Sequence, residues 1–420
     1  MPTSKEFIEM ELKYCAHNYH PIPVVISRAE GVWVYDPEGK KYLDCLSAYS
    51  SQNAGHCHPE IVATLKEQAS IVTLTSRAFH NNIMGPFLKM LAEVVGPHIN
   101  DPTNSGIMSL PMNTGTEAVS TGLKIARAWG YIKKKIPKNE AKIIVCRDNF
   151  HGRTITIAGF SSDISAVRYY GNFGPYTPGF IIIPYGDAEE LENVILETGP
   201  EKIAAFLFEP IQGEAGVKIP PQGYLKKVRE ICTKYNILMI LDEIQTGFCR
   251  TGEFFACDHE NVKPDMLLLG KALGGGVYPV SACVSTQDIV GPDVITPGTH
   301  GSTFGGNPLG AAIAMKSIEI HLRENLAERA KEMGNYFLKR LNEIAEKKTN
   351  IPIKEIRGKG LLIAIEFKED ARHIVEELKT NGILAKDTHS TTIRFAPPLI
   401  ITRDEIDWAI EIINKILTNQ

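Results

Sequence analysis

The sequence Leu241-Asp242-Glu243-Ile244-Gln245-Thr246-Gly247 is followed further along the chain by Gly270-Lys271-Ala272-Leu273. Each of these segments comes at the end of a short, continuous apolar run, Leu238–Leu241 in the first case and Met266–Leu269 in the second. Apolar runs without alternation predict parallel strands that are covered on both faces. Because open parallel sheets place ligands at the carboxyl ends of their strands, we expect Asp242 and Lys271 to lie at one ligand-binding edge.

Other segments predict further strands of this sheet, and the last part of the chain predicts long helices followed by two strands. The remaining predicted strands and helices are Val24–Ser27, Gly31–Tyr35, Ile143–Cys146, Ala204–Phe208, the helices Asn307–Arg323 and Leu326–Glu346, the strands Leu361–Phe367 and Thr392–Ala396, and a helix after Thr402. The pattern predicts an α/β protein. Its large domain, at residues 50–305, would have a mostly parallel central sheet covered by helices. A smaller α+β domain would combine residues 1–49 and 306–420 from both chain ends.

Composition excludes several classes of function. The chain has 420 residues, 43% of them hydrophobic, and a formal net charge of -4. With no long basic run, nucleic acid and anionic membranes are not expected partners. No apolar run is long enough to span a bilayer, and the glutamate-bearing start of the chain resembles neither a secretory signal nor a transit peptide, which predicts a cytoplasmic location. The eight cysteines form no CxxC pair, so reduced thiols are expected.

Lys271 and Asp242 together suggest covalent chemistry with a cofactor. A lysine held in a pocket at a strand end can form an imine with a carbonyl group. A carboxylate such as that of Asp242 can keep a ring nitrogen protonated, as pyridoxal phosphate requires of its partner. Alone, Lys271 would be interpreted as a solvated loop lysine and Asp242 as a helix cap or metal ligand. The two residues in this pattern favour a pyridoxal phosphate site.

Two segments are candidates for holding the cofactor phosphate. In Asn113-Thr114-Gly115-Thr116-Glu117, Thr114 and Glu117 have the spacing of a capping box. The amides of Gly115 and Thr116 would then be free at a helix N-terminus, where anions bind. The alternative is an ordinary capped helix. The second candidate is Ser302-Thr303, which by itself is a weak signal.

Several residues near other strand ends could contact the cofactor or substrate. Phe150 could stack on an aromatic ring, and Arg153 could bind a carboxylate. Core packing and a surface ion pair are the alternatives for these two, and Glu214 and Arg394 could equally be structural. Gly55-His56-Cys57-His58-Pro59 resembles a metal cluster. However, neighbouring side chains of an extended segment point apart and no second ligand pair has a zinc-like spacing, so a turn is favoured and no metal is expected.

Taken together, these motifs resemble the class III, fold-type I, pyridoxal-phosphate-dependent aminotransferases over nearly the whole chain. The resemblance implies that Lys271 carries the cofactor covalently, that Asp242 pairs with its ring nitrogen, and that a homodimer shares its active sites. The implied cofactor-binding residues are Phe150 and Ile244 on the two ring faces, Gln245 at the ring hydroxyl, Gly115 and Thr116 at the phosphate, and Ser302 and Thr303 at the phosphate from the partner subunit. The implied substrate-binding residues are Tyr19, Tyr49, Arg153, Glu214 and Arg394.

Within that family the chain is most similar to members that transfer the terminal amine of ornithine to 2-oxoglutarate. The segments Ala16–Pro21, Leu46–Ser50 and Ile393–Pro398 carry this similarity. His151 departs from it, because tryptophan is common there in ornithine-specific members and histidine in those acting on N-acetylornithine. The alternatives are therefore an aminotransferase for N-acetylornithine or 4-aminobutyrate, a pyridoxal phosphate protein with a structural or regulatory role, and a metal enzyme built on His56 and His58.

Overall fold

The computed structural model describes residues 2–162, 172–347 and 349–418. The strands are β1 (Arg28–Glu30), β2 (Trp33–Tyr35), β3 (Lys41–Asp44), β4 (Ile107–Met112), β5 (Lys142–Cys146), β6 (Phe180–Ile183), β7 (Ile203–Phe208), β8 (Leu238–Asp242), β9 (Met266–Leu269), β10 (Ser281–Thr286), β11 (Ile353–Lys359), β12 (Leu362–Phe367), β13 (Ile383–Leu384), β14 (Lys386–Thr388) and β15 (Thr392–Phe395).

Helices surround these strands. They are α1 (Ser4–Tyr14), α2 (Pro59–Ile71), α3 (Met84–Val95), α4 (Gly115–Ile132), α5 (Ile155–Ala158), α6 (Ala188–Thr198), α7 (Tyr224–Lys234), α8 (Gln287–Val290), α9 (Pro308–Arg323), α10 (Leu326–Ala345), α11 (Arg372–Thr380) and α12 (Arg403–Thr418), with short 3-10 turns at Gly96–His98, Pro200–Lys202, Ala256–Glu260 and Lys271–Gly274. In the part of the chain that the structure describes, no helix is both long and apolar enough to cross a bilayer.

A seven-stranded sheet forms the centre of the larger part of the molecule, in the order β4-β10-β9-β8-β7-β5-β6. Strand β10 runs antiparallel to both of its neighbours, whereas β9, β8, β7, β5 and β6 pair in parallel. The prediction of a mostly parallel sheet is confirmed. The apolar runs that predicted strands correspond to β5, β7, β8 and β9, in which nearly every residue is buried.

The two faces of this sheet support two separate hydrophobic clusters. Phe206 and Phe208 of β7 belong to the cluster that includes α7, while Ala205 and Leu207 belong to the cluster that includes Val119 and Leu123 of α4. Successive strand residues point to opposite faces, so a strand covered on both sides must be apolar throughout. This is why these strands lack alternation in the sequence.

Two further sheets form the smaller part. In the sheet β1-β2-β3-β13, strand β3 from the N-terminal end pairs in parallel with β13 from the C-terminal end. The other sheet, β11-β12-β15-β14, is antiparallel. Residues from both chain ends therefore build the smaller part, as predicted for the fold. The predicted strand Val24–Ser27 was wrong. After Pro23, the Val24 N–H donates to the Ile22 carbonyl in a tight turn, so it is not available for a strand ladder.

Arg250 ties these parts of the chain together. It is fully buried, and its guanidinium donates to the carbonyls of Leu361 and Pro397 and to the side-chain oxygen of Asn53. Leu361 directly precedes β12, which pairs with β15. Since β15 carries Arg394, these contacts help to fix the position of the smaller part over the carboxyl edge of the central sheet.

Candidate active site

A cavity of about 240 Å³ opens at the carboxyl edge of the central sheet. Asp242 is the last residue of β8, and Lys271 follows β9 after a single glycine. The cavity is lined by Thr114, Gly115, Thr116, Phe150, His151, Gly152, Glu209, Asp242, Ile244, Gln245, Thr246 and Lys271. Residues that are far apart in the sequence, including the two that decided the fold prediction, therefore meet at one site.

Lys271 has an unusual backbone conformation, and the pKa of its side-chain ammonium is lowered. Its φ of 43° lies in the left-handed region, which non-glycine residues rarely adopt and which is a feature of functional sites. Burial lowers the pKa of the Lys271 ammonium below its ordinary 10.5, while the carboxylates of Glu214 and Asp242 oppose that effect. A lower pKa increases the fraction of neutral amine, which is the nucleophilic form.

Asp242 is held by donors from two segments. His151 Nδ1 lies 2.7 Å from Oδ2 of Asp242, and the Ile244 N–H donates to Oδ1 at 3.1 Å. The carboxylate is only 5% exposed. It is thus oriented in the cavity wall, and it could pair with a protonated ring nitrogen there.

The N-terminus of α4 has the features of a phosphate site. Thr114 and Glu117 form the predicted capping box. The amides of Gly115 and Thr116 open the helix, so neither has a partner within it. Thr116 Oγ1 is buried and has no hydrogen-bond partner among the described residues. A Cβ on Gly152 would lie 2.1 Å from that oxygen, so only glycine allows the backbone to pack this closely against Thr116. This cradle of donors fits a phosphate.

The cavity has an aromatic and an aliphatic wall, as a bound ring requires. Phe150 and Ile244 both line it. Ile244 also packs against the helix start, because a Cβ on Gly115 would approach its side chain to 3.1 Å. Together with Lys271, Asp242 and the phosphate cradle, these residues fit pyridoxal phosphate: an amine for its carbonyl, a carboxylate for its ring nitrogen, and amides for its phosphate.

Glu209 is a cavity residue that the sequence analysis missed. Its two carboxylate oxygens accept the N–H groups of Phe150, at 3.0 Å, and Gly213, at 3.3 Å. Burial raises the pKa of Glu209 to about 7, with Asp242 adding to the shift and His151 opposing it. The signal was available: Glu209 directly follows β7, so the rule that selected Asp242 at a strand end also applies to it.

Buried Arg394 and partly buried Glu214 form an ion pair beside Tyr49. The guanidinium donates to Oε1 and Oε2 of Glu214 at 2.7 and 3.2 Å and also to the Gly213 carbonyl. Its carbon lies 5.2 Å from the centre of the Tyr49 ring. Burial disfavours the ionised form of Glu214, but Arg394 outweighs it and the pKa of Glu214 is lowered.

Gln245 extends this group of residues. Its Nε2 donates to Glu214 Oε1 at 3.3 Å. A Cβ on Gly213 would lie 1.4 Å from Gln245 Oε1, so a side chain at that position would displace the Gln245 amide. Gln245 therefore connects the Asp242 segment, which faces the cavity, with the Glu214–Arg394 pair.

Arg153 and Tyr19 lie together outside the buried wall. The Arg153 guanidinium carbon is 5.8 Å from the ring centres of both Tyr19 and Phe150. Tyr19 is 68% exposed and Arg153 is also exposed. The structure therefore brings Arg153 next to the cavity wall and leaves Tyr19 accessible.

Ser302 and Thr303 lie outside the cavity lining. Ser302 Oγ accepts from Asn113 Nδ2 at 2.9 Å, next to the start of the phosphate cradle, and Thr303 is exposed. Their contact with a phosphate in a second subunit stays a prediction. His56 and His58 do not converge: His56 pairs with Asp44 at 2.8 Å, whereas His58 faces Glu324 at 3.4 Å.

A cavity with a partly buried lysine, a strand-end carboxylate and a helix-start phosphate cradle defines an enzyme that uses pyridoxal phosphate. The model of the family "Aminotransferase class-III" matches residues 14–417. The ornithine aminotransferase of Brevibacillus brevis is 54% identical over 417 residues, which is 99% of both chains. The solved ornithine aminotransferase of Toxoplasma gondii ME49 has a TM-score of 0.93 and 45% identity, covering 99% of this chain and 95% of that one.

A solved acetylornithine aminotransferase, from Elizabethkingia anophelis, has a TM-score of 0.87 and 47% identity and covers 99% of both chains. The chain belongs to the class III aminotransferase family. It is a pyridoxal-phosphate-dependent aminotransferase, as the family and the cavity together require.

Proposed function

We propose that this enzyme transfers the δ-amino group of ornithine to 2-oxoglutarate, giving glutamate 5-semialdehyde and glutamate. The observation that carries the proposal is the presence of two arginines beside the cavity-lining residues, one of them already paired with a carboxylate: Arg153 lies near Phe150, and Arg394 is bonded to Glu214, which contacts Gln245. Arg153 is exposed beside the aromatic wall, whereas Arg394 is buried against Glu214. The full-length similarity to ornithine aminotransferases supports the same substrate.

The two substrates differ in the number of carboxylates that must be bound. Ornithine carries one carboxylate, at the end remote from the reacting amine, and Arg153 with Tyr19 would bind that end. 2-Oxoglutarate carries a second carboxylate next to its reacting carbonyl, and Arg394 would bind it after leaving Glu214. If the α-carboxylate of ornithine bound to Arg394, the α-amine would face the cofactor instead of the δ-amine. The pairing of Arg394 with Glu214 in the first half-reaction prevents this. Tyr49 lines the space between the two positions.

When bound, pyridoxal phosphate supplies a carbonyl carbon for the amine and an electron sink for the carbanion. The chain supplies the remaining functions. Lys271 holds the cofactor through its Nζ and then transfers a proton as general base and acid. Asp242 holds the proton on the ring nitrogen, Gln245 faces the ring hydroxyl, and the wall residues Phe150 and Ile244 fix the ring plane. Gly115 and Thr116 bind the phosphate through their amides.

The active enzyme in this proposal is a homodimer in which Ser302 and Thr303 of one subunit complete the phosphate site of the other. Exposed apolar side chains support an interface: α1 has no buried residue, and Phe79 and Phe304 are 73% and 47% exposed. Mixing the inactive Lys271→Ala protein with a Ser302→Ala/Thr303→Ala double variant tests this. A shared site predicts recovery of about a quarter of wild-type activity after subunit exchange, since half of the dimers gain one complete site. No recovery would contradict sharing.

The substrate assignment is tested by steady-state rates with ornithine, N-acetylornithine and 4-aminobutyrate, each with 2-oxoglutarate. The proposal expects ornithine to have the highest kcat/KM. N-Acetylornithine is the second candidate because an acetylornithine aminotransferase is 47% identical to this chain. If kcat/KM is higher for N-acetylornithine than for ornithine, N-acetylornithine is the substrate and the proposal is wrong. The proposed location is the cytoplasm, where fractionation of native cells should find the enzyme.

A further inference from the structure

His151 lies in the cavity wall in contact with Asp242. Its Nδ1 is 2.7 Å from Asp242 Oδ2, and the side chain has no solvent-exposed surface. Its Nε2 is also buried and has no hydrogen-bond partner within residues 2–162, 172–347 and 349–418. One nitrogen of His151 is therefore committed to the carboxylate, and the imidazole makes no hydrogen bond toward the exposed Arg153 and Tyr19, where the amine substrate would enter.

The contact fixes the orientation of Asp242. One carboxylate oxygen accepts from His151 Nδ1 and the other from the Ile244 N–H. Ile244 lies two residues after Asp242, whereas His151 lies in the segment that follows β5, so the carboxylate cannot rotate without losing one of these bonds. A hydrogen bond to a charged carboxylate is stronger than one between neutral groups, so the His151 contact fixes the direction in which Asp242 faces.

The surrounding charges act on the same pair. Burial lowers the pKa of His151, but the bond to Asp242 and the charges of Asp242 and Glu209 outweigh it, so the pKa is raised above 6.5. Lys271 is the other charged group near Asp242. Histidine thus adds a donor, and in its protonated form a positive charge, behind a carboxylate that lies beside two other ionisable groups.

We propose that His151 is a positioning residue for Asp242: it orients the carboxylate through a buried hydrogen bond, so that Asp242 can hold a proton on the cofactor's ring nitrogen. His151 then acts on the cofactor site and does not select the amine. This inference rests on the pyridoxal phosphate site but not on the choice of ornithine, so the two can fail separately.

The experiment compares His151→Leu with His151→Asn in the holoenzyme. Asparagine places an amide N–H close to the position of imidazole Nδ1, whereas leucine removes the donor. Each protein is loaded with pyridoxal phosphate that carries ¹⁵N in its ring, and the ¹⁵N chemical shift is followed against pH. In His151→Leu the apparent pKa of the ring nitrogen should fall by about one unit, a tenfold change in its proton affinity. His151→Asn should restore most of the wild-type value.

A second measurement separates positioning from substrate selection. The ratio of kcat/KM for ornithine and N-acetylornithine should change less than about threefold in both variants, even where both rates fall. Circular dichroism and cofactor content establish that each variant is folded and loaded. An unchanged ring-nitrogen titration in loaded His151→Leu would overturn the proposal, as would a tenfold change in the substrate ratio. If His151→Leu does not load, His151→Ala takes its place as the variant without a donor, and the same lowered ring-nitrogen pKa is expected.

Discussion

The guanidinium of Arg394 donates two hydrogen bonds to the carboxylate of Glu214, at 2.7 and 3.2 Å, although the two residues are 180 positions apart in the sequence. Arg394 is 3% exposed, so its positive charge is shielded from solvent and matched by a single carboxylate. A further bond goes to the Gly213 carbonyl. A guanidinium close to the cavity residue Gln245 is therefore already occupied by a carboxylate of the chain itself.

Replacing Glu214 with glutamine should release Arg394 and change substrate preference. With the Glu214 charge removed, Arg394 is free to bind substrates that carry a carboxylate beside the reacting carbon. Single-turnover kcat/KM with glutamate should therefore rise about tenfold, or 1.4 kcal/mol. The ornithine half-reaction should fall by a similar factor. Glu355→Gln is the matched control, because Glu355 also pairs with an arginine but is 54% exposed and contacts Arg357 instead of Arg394. Equal changes in both half-reactions would contradict this role of Glu214.

Replacing Lys271 with alanine should abolish the covalent attachment of pyridoxal phosphate. Wild type should show a borohydride-reducible adduct that mass spectrometry locates at Lys271, and the variant should show none, with turnover reduced by at least about 10²–10⁴-fold because the proton-transfer group is also lost. Lys134→Ala is the control. Burial lowers the pKa of Lys134 to about 8 as well, but its Nζ donates to the carbonyls of Ile203 and Tyr235 outside the cavity. A reducible adduct that persists without Lys271 would disprove the assignment.

Replacing Asp242 with alanine should impair chemistry more than cofactor binding. Removing a preorganised charge beside the reacting system costs about 10²–10³-fold in rate, whereas the phosphate cradle and the ring walls remain to bind the cofactor. Single-turnover rates and cofactor dissociation constants measure the two effects separately. Asp242→Asn keeps the shape but not the charge, so it should resemble Asp242→Ala. Near wild-type single-turnover rates in either variant would show that another acid serves the ring nitrogen.

The sequence predicted the part of the site that lies at the ends of parallel strands. Asp242 and Lys271 could be placed together because continuous apolar runs predict parallel strands whose carboxyl ends share an edge. The capping box at Thr114 and Glu117 could also be predicted, because it depends only on residues three positions apart in the chain. Glu209 satisfied the same strand-end rule and was missed only because the rule was not applied to β7.

Other contacts could not be derived from local pattern. The bond between His151 and Asp242 joins residues 91 positions apart, and nothing in either segment specifies the other as its partner. The Glu214–Arg394 pair was expected only from family resemblance. The strand predicted at Val24–Ser27 was wrong. Its residues have high β-propensity, but they follow Pro23, where a local turn uses the Val24 N–H that a strand would need.

Glu209 should make stability depend on pH in a defined window. Burial raises its pKa from 4.5 to about 7, so the folded enzyme binds this proton more tightly than the unfolded chain. The stabilisation is fully present below the unfolded-state pKa and is lost as pH rises to about 7. At fixed protein concentration, the slope of unfolding free energy against pH should therefore be less negative in Glu209→Gln, by at most about 1.4 kcal/mol per unit.

Glu243 provides the comparison for Glu209. Burial raises its pKa to about 7 as well, but it lies outside the cavity lining and instead accepts from Thr246 Oγ1 and the Cys257 N–H. Glu243→Gln should flatten the stability profile similarly. Only Glu209→Gln should also change the pH dependence of cofactor affinity, since Glu209 lines the cavity beside Asp242. The same cofactor titration curve in all three proteins would contradict this distinction.

Tyr19 should decide how strongly ornithine is preferred over simpler amines. Arg153 alone recognises any carboxylate, including that of 4-aminobutyrate, whereas the Tyr19 hydroxyl can contact the α-amine that only ornithine carries. Its ring lies 5.8 Å from the Arg153 guanidinium carbon and remains 68% exposed, so the hydroxyl is accessible to a substrate. Losing such a hydrogen bond costs about 0.5–1.5 kcal/mol, and more beside a charged group.

Tyr19→Phe should therefore lower kcat/KM for ornithine by about threefold to tenfold while 4-aminobutyrate and 2-oxoglutarate are much less affected. Tyr14→Phe is the matched control, because Tyr14 is 78% exposed in the same N-terminal segment but contacts Lys13. The alternative role for Tyr19 is packing against a neighbouring subunit, which would reduce the use of all three substrates together. Equal losses for the three substrates in Tyr19→Phe would favour packing and remove the hydroxyl contact as a ground for ornithine specificity.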